Sequence, residues 1–174
     1  GARALNRAVV DNTRYLLGTY PNLAVLHFAG RGLLDETNAA YDALELGKAR
    51  ERVQVFGFTK DFYLYTGAAD VIIARGGATN IAEFAVQRKA CILVPSKQLA
   101  WNVENSRQLA KQGAVIELSE DHAEQPERLG RTVGELLESA QRREVLSNRL
   151  ATFGHPEAAR DIAKEVLRIG EVRG

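Results

Sequence analysis

The stretch ADVIIARGGATNIAEFA, residues 69–85, is where residue type and spacing first suggest chemistry. An apolar run closes at Ala74, two glycines follow at 76 and 77, and an amphipathic stretch begins. Paired glycines let a backbone turn sharply and approach a ligand closely. The first N–H groups of the helix have no partner within it. Together with the positive end of the helix dipole, they suit an anion such as a diphosphate. Glu83 falls about one turn into that helix, where a carboxylate can accept hydrogen bonds from the two vicinal hydroxyls of a ribose. The same letters also read as an ordinary helix start, with Asn80 as the cap and Glu83, three residues on, completing a capping box. Strand–Gly-Gly–helix units are common in α/β proteins, so the local pattern leaves both readings open.

The elements that must position this turn follow from the periodicity. Short apolar, β-branched runs at 22–29, 52–58, 70–74, 90–94 and 114–118 predict strands. Amphipathic stretches at 2–18, 34–48, 60–68, 78–88, 102–112, 125–138, 141–152 and 156–169 predict helices. The last helix has His155 in the capping position and Pro156 as its first residue. Nearly continuous apolar strands separated by helices imply a doubly wound α/β domain, a parallel sheet with helices on both faces. Ligands of such folds bind beyond the carboxyl ends of the strands. That directs attention to the loops at 29–32, 57–61, 75–80 and 95–102. The chain enters its first helix with no strand ahead of it, which reads as a domain lacking its opening strand.

Composition narrows the classes of function. The chain has 174 residues, 45% hydrophobic and 26% charged, which suits one packed domain. Twenty-three Lys and Arg against 22 Asp and Glu leave a formal charge of +1, so no basic surplus argues for nucleic acid. No apolar run approaches the roughly 20 residues of a membrane span. The start GARALNRAVV lacks the features of a signal peptide. Cys91 is the single cysteine and reads as a reduced core residue, which favours the cytoplasm. His27, His122 and His155 have no metal-ligand spacing, and His27, just after the run LAVL, reads as structural more readily than as a site residue.

Beyond these readings, the chain resembles the C-terminal domain of GT-B glycosyltransferases of family 28, the MurG-type, lipid II-forming N-acetylglucosaminyltransferases of bacteria. The resemblance spans nearly the whole chain. Asp70, Arg75, Gly77, Ala78, Thr79 and Glu83 follow the family's donor-site signature. Gly1-Ala2-Arg3 with Leu5-Asn6 resembles the end of its first glycine-rich loop, and His27, Gly30 and Gly32 its H-x-x-G-x-G. Phe58 and Thr59 fall in the loop that holds the uracil. Val94-Pro95, Asn105, Leu109, Gly113 and Ala114 continue in register.

The resemblance implies a Rossmann-like, single nucleotide-sugar-binding domain over 1–174, without its first strand or the N-terminal acceptor domain. The implied ligand is a UDP-sugar, UDP-N-acetylglucosamine in the family. Gly1 would belong to the glycine-rich loop, and the backbone at Phe58 and Thr59 would meet the base. Gly76, Gly77, Ala78, Thr79 and Asn80 would form the diphosphate turn, Glu83 would bind the ribose, Asn102 would reach the transferred sugar and Asn105 would support that loop. Transfer would invert the sugar without an essential metal or cofactor. The acceptor would be a lipid-linked sugar of peptidoglycan synthesis, held with the catalytic base on the missing domain. The parent enzyme would be cytoplasmic, or peripheral on the cytoplasmic face of the inner membrane.

The sugar loop departs from the family. Where an acidic residue and a glutamine are usual, this chain has Leu99-Ala100-Trp101-Asn102. Trp101 reads equally as a platform for the sugar or as a core residue. Two other readings share the architecture: the donor-binding subunit of a two-chain transferase, and a UDP-sugar 2-epimerase, whose catalytic acids and histidine have no place in this sequence.

Overall fold

The computed structural model describes residues 2–171. Its elements run α1 (Ala2–Thr19), β1 (Val25–Phe28), α2 (Leu34–Asp42), β2 (Val53–Phe56), α3 (Phe62–Ala68), β3 (Val71–Ala74), α4 (Ala78–Val86), β4 (Ala90–Leu93), α5 (Ala100–Lys111) and β5 (Ile116–Glu117). Four helices follow, α6 (Glu120–Ala123), α7 (Arg128–Glu138), α8 (Ala140–Ala151) and α9 (Ala158–Glu171). Every strand pair is parallel. The α/β class and the alternation of strand and helix are as the periodicity implies.

Several boundaries differ from the sequence reading, for identifiable reasons. The helix expected over 34–48 stops at Asp42, because Glu45 and Gly47 take left-handed backbone at φ 50 and 55. The helix expected from 125 begins only at Arg128, after Glu127 at φ 57, and the short α6 ahead of it was not expected. Pro156 lies in the turn before α9, where the Ala158 N–H donates to the His155 carbonyl at 3.1 Å, so neither residue starts the helix. The strands are shorter than their apolar runs, which continue into the adjoining turns.

β4 is wholly buried, as an interior strand should be. Its side chains alternate between faces. Ile92 belongs to a core cluster with Ala8 and Leu16 of α1 and Leu129, Val133 and Leu136 of α7. Cys91 and Leu93 meet Phe84 of α4, Leu109 of α5 and Leu150 of α8. A third cluster joins Val10 and Leu17 of α1 to Tyr41 and Val53.

The single sheet anticipated from sequence is in two pieces. β1 pairs with β2, and β3, β4 and β5 form the second sheet in that order. Between β1 and β3 lies a slot of about 790 Å³.

Candidate functional site

The residues singled out from the sequence gather where chain direction across the sheets reverses, between β1 and β3. Ligands of doubly wound folds bind at such a point. β3 ends at Ala74 and Gly76 turns the chain at φ 76. A Cβ on Gly76 would collide with Ser106 Oγ and lie 3.7 Å from the Asn102 carbonyl oxygen. The turn is thereby pressed against the first turns of α5, and only glycine fits there.

Gly77 is the N-cap of α4, at φ −65 and ψ 137, with no side-chain hydrogen bond to the helix. This corrects the capping-box reading. Asn80 is the third residue of the helix rather than its cap, and Glu83 is the sixth, beyond reach of the Gly77 N–H. The first intrahelical bond runs from Ile81 N–H to the Gly77 carbonyl at 3.0 Å. The N–H groups of Ala78, Thr79 and Asn80 therefore stand free of side-chain caps, and all three residues are exposed. Glu83 is half-buried on the same helix.

The other expected residues occupy two neighbouring loops. Asn102, half-buried, is the third residue of α5, beside the Gly76 turn. Asn105 is exposed one turn further on. Trp101 is 80% exposed, which removes the core-packing alternative. Phe58 and Thr59 follow β2, across the slot. Phe58 is 59% exposed, with the Arg31 guanidinium carbon 4.0 Å above its ring centroid. The Thr59 hydroxyl accepts the Asp61 N–H at 3.1 Å. Gly1 lies outside the described residues.

The sequence reading missed the ion pair that fixes the loop after β4. Arg75 Nη1 donates to Glu120 Oε1 and to the Val94 carbonyl, the latter at 3.2 Å. Glu120 Oε2 accepts the Lys97 N–H at 3.1 Å. Burial pushes the Glu120 carboxyl up, but the Lys97 N–H and the Arg75 guanidinium outweigh it and hold the group below its ordinary value. Ser119, which caps α6 by accepting the His122 N–H, was the one legible signal that a helix start falls here. The other donors of Arg75, Nε and Nη2, are buried without a partner among the described residues, as is Ser106 Oγ.

His27 is a structural residue. Asn6 Nδ2 donates to the Ala29 carbonyl at 3.0 Å, which leaves Asn6 Oδ1 to accept from His27 Nε2 at 3.1 Å. His27 Nδ1 then accepts from the Tyr41 hydroxyl at 2.7 Å. Burial lowers the imidazole to about 4. Cys91 is fully buried, and burial pushes its thiol up to about 12. Among the described residues no cluster of His, Cys, Asp and Glu could hold a metal, and no helix is long and apolar enough to cross a membrane.

Comparison with known proteins agrees with the fold. Residues 1–166 match the glycosyltransferase family 28 C-terminal domain. The chain is similar to the UDP-N-acetylglucosamine--N-acetylmuramyl-(pentapeptide) pyrophosphoryl-undecaprenol N-acetylglucosamine transferase of Anaeromyxobacter sp. (strain K). The two are 30% identical over 171 residues, which cover 97% of this chain and 43% of that protein. The protein of the same name from Thermodesulfovibrio yellowstonii is 30% identical over 173 residues, 97% of this chain and 46% of that one. Among solved structures, Acinetobacter baumannii MurG superposes with a TM-score of 0.78 at 25% identity, covering 97% of this chain and 46% of that one. The glycotransferase of kitacinnamycin, at 22% identity and a TM-score of 0.58 over 88% of this chain and 38% of that one, shares the fold. The chain thus spans less than half the length of the curated relatives it matches.

Proposed function

The chain belongs to the glycosyltransferase family 28 C-terminal domain family, and from that premise we propose that it binds the UDP-sugar donor, UDP-N-acetylglucosamine, of an inverting transferase. The observation that carries this reading is the uncapped N-terminus of α4, set by the left-handed turn at Gly76, with Glu83 on the same helix. In this reading the N–H groups of residues 78–80 face the diphosphate and stabilise it as it leaves. Glu83 accepts the ribose hydroxyls. The backbone at Phe58 and Thr59 meets the uracil, Asn102 reaches hydroxyls of the sugar, and Asn105 supports that loop from the next turn of α5. The first glycine-rich loop, to which Gly1 contributes, closes over the diphosphate.

The remaining length of the relatives is the proposed source of the first strand, the acceptor domain and the catalytic base. The relatives' printed name supports a lipid-linked sugar acceptor of peptidoglycan synthesis, and the proposal places the parent enzyme in the cytoplasm or on the cytoplasmic face of the inner membrane. No residue of this chain is assigned as the base, and the 174-residue chain alone is expected to transfer no sugar.

Titration calorimetry with UDP and with NAD tests the donor reading. UDP is expected to bind more tightly, and equal or tighter binding of NAD would overturn it.

A further inference from the structure

We infer that Arg31 reads the base of the donor: its guanidinium, held over the Phe58 ring, donates to a ring carbonyl of uracil and so sets uracil apart from cytosine. The inference rests on the donor reading above, in which the backbone at Phe58 and Thr59 meets the base. It gives a role to the loop after β1, residues 29–32, which lies beyond the carboxyl end of a strand and which that reading leaves unassigned.

The backbone that carries Arg31 is anchored. Ala29 N–H donates to the Phe56 carbonyl at 2.9 Å, and the Ala29 carbonyl accepts from Asn6 Nδ2 at 3.0 Å. Asn6 is held in turn by His27, and His27 by Tyr41. Leu33 N–H closes a single tight helical turn on the Gly30 carbonyl at 3.1 Å. A Cβ on Gly57 would lie 3.7 Å from Arg31 Cα, so the loops after β1 and β2 pack against each other. Gly30 sits at φ 94 and ψ 153, backbone that in effect only glycine adopts. Packing does not demand glycine there. A Cβ on Gly30 or on Gly32 would meet no neighbour within 4 Å among the described residues. The space on either side of Arg31 is therefore open to a ligand that comes close to the backbone.

The side chain is placed, yet its donors are unspent. The guanidinium carbon lies 4.0 Å from the Phe58 ring centroid, within the range of attraction between a cation and a ring face. Among the described residues Arg31 makes no hydrogen bond and no ion pair, and Glu36, close by in the chain, is taken by Arg3 at 3.1 Å. Attraction to a ring occupies the face of a guanidinium and leaves its in-plane N–H groups for a partner. An arginine has only donors and no acceptor. Uracil matches it with ring carbonyls at both positions beside its N–H. Cytosine puts an amino group, itself a donor, at one of them. A guanidinium fixed at that edge therefore pairs with uracil and opposes cytosine.

Titration calorimetry of wild type and Arg31→Met with UDP and with CDP tests this. Methionine keeps an unbranched apolar chain beside Phe58 and removes every donor. Wild type is expected to bind UDP at least about tenfold more tightly than CDP, the size of one hydrogen bond to a charged group. Arg31→Met should weaken UDP by at least about tenfold and CDP by less than about threefold, so that the preference collapses. Urea unfolding should give both proteins the same stability, because Arg31 is exposed and makes no polar contact within the described fold. Equal weakening of UDP and CDP would overturn the inference, since the guanidinium would then serve the ribose or diphosphate that the two ligands share. Unchanged UDP affinity in Arg31→Met would overturn it as well. Failure of UDP to bind wild type would sink the donor reading itself, and the inference with it.

Discussion

Ser106 Oγ, buried and without a partner among the described residues, stands in the way of a Cβ on Gly76. The turn after β3 is thus glycine for two separate reasons, a left-handed φ of 76 and a hydroxyl in the way. Gly76→Ala should destabilise the fold by about 1–3 kcal/mol from backbone strain alone, with the collision in addition. Urea unfolding measures both. Combining it with Ser106→Ala, which removes only the hydroxyl, should recover the collision and leave the strain. Wild-type stability in Gly76→Ala would show that the turn is not held as described.

Glu120 and Arg75 make the second prediction. Their side chains are 8% and 19% exposed, so breaking the pair leaves a guanidinium in a poorly solvated place. Glu120→Ala should cost about 3 kcal/mol, the low end for buried pairs. It should also speed exchange of the Lys97 amide, whose acceptor is lost. A loss under about 1 kcal/mol, which is surface-pair behaviour, with Lys97 exchange unchanged would remove the pair from its positioning role.

Legibility from sequence divides along physical lines. The strand, turn and helix around Gly76 and Gly77 could be read because an apolar run and two glycines are local signals. The role of Glu83 could not be chosen locally, since that depended on whether the cap fell on Asn80 or Gly77. Glu120 could not be found at all. Its partner Arg75 lies 45 positions away in sequence. The gap between β1 and β3 is likewise a property of how two sheets face each other. Trp101 could be read either way until its exposure was known.

His27 gives the fold a pH dependence. Its folded value of about 4 lies below the ordinary 6.5, so the unfolded chain takes up the proton first as pH falls. The stabilisation is complete above 6.5 and is lost progressively between 6.5 and 4, amounting to about 3 kcal/mol at saturation. The Glu120 carboxyl, held below its ordinary value of 4.5, contributes stability present above that value and lost only as pH falls lower still. Unfolding free energies of wild type and His27→Gln should therefore converge between pH 7 and pH 4. A constant difference across that range would contradict the buried, neutral imidazole.

The most direct measurement of the donor-site account is the affinity of wild type and Glu83→Gln for UDP and for 2′-deoxy-UDP. If the Glu83 carboxylate accepts the ribose hydroxyls, Glu83→Gln weakens UDP by about 1.5–3 kcal/mol, the range for hydrogen bonds to a charged group. Fold stability should change little, because Glu83 does not cap α4. The deoxy ligand should bind wild type less well than UDP does, yet lose little more on the mutant. Equal affinity of wild type and Glu83→Gln for UDP would contradict the assignment.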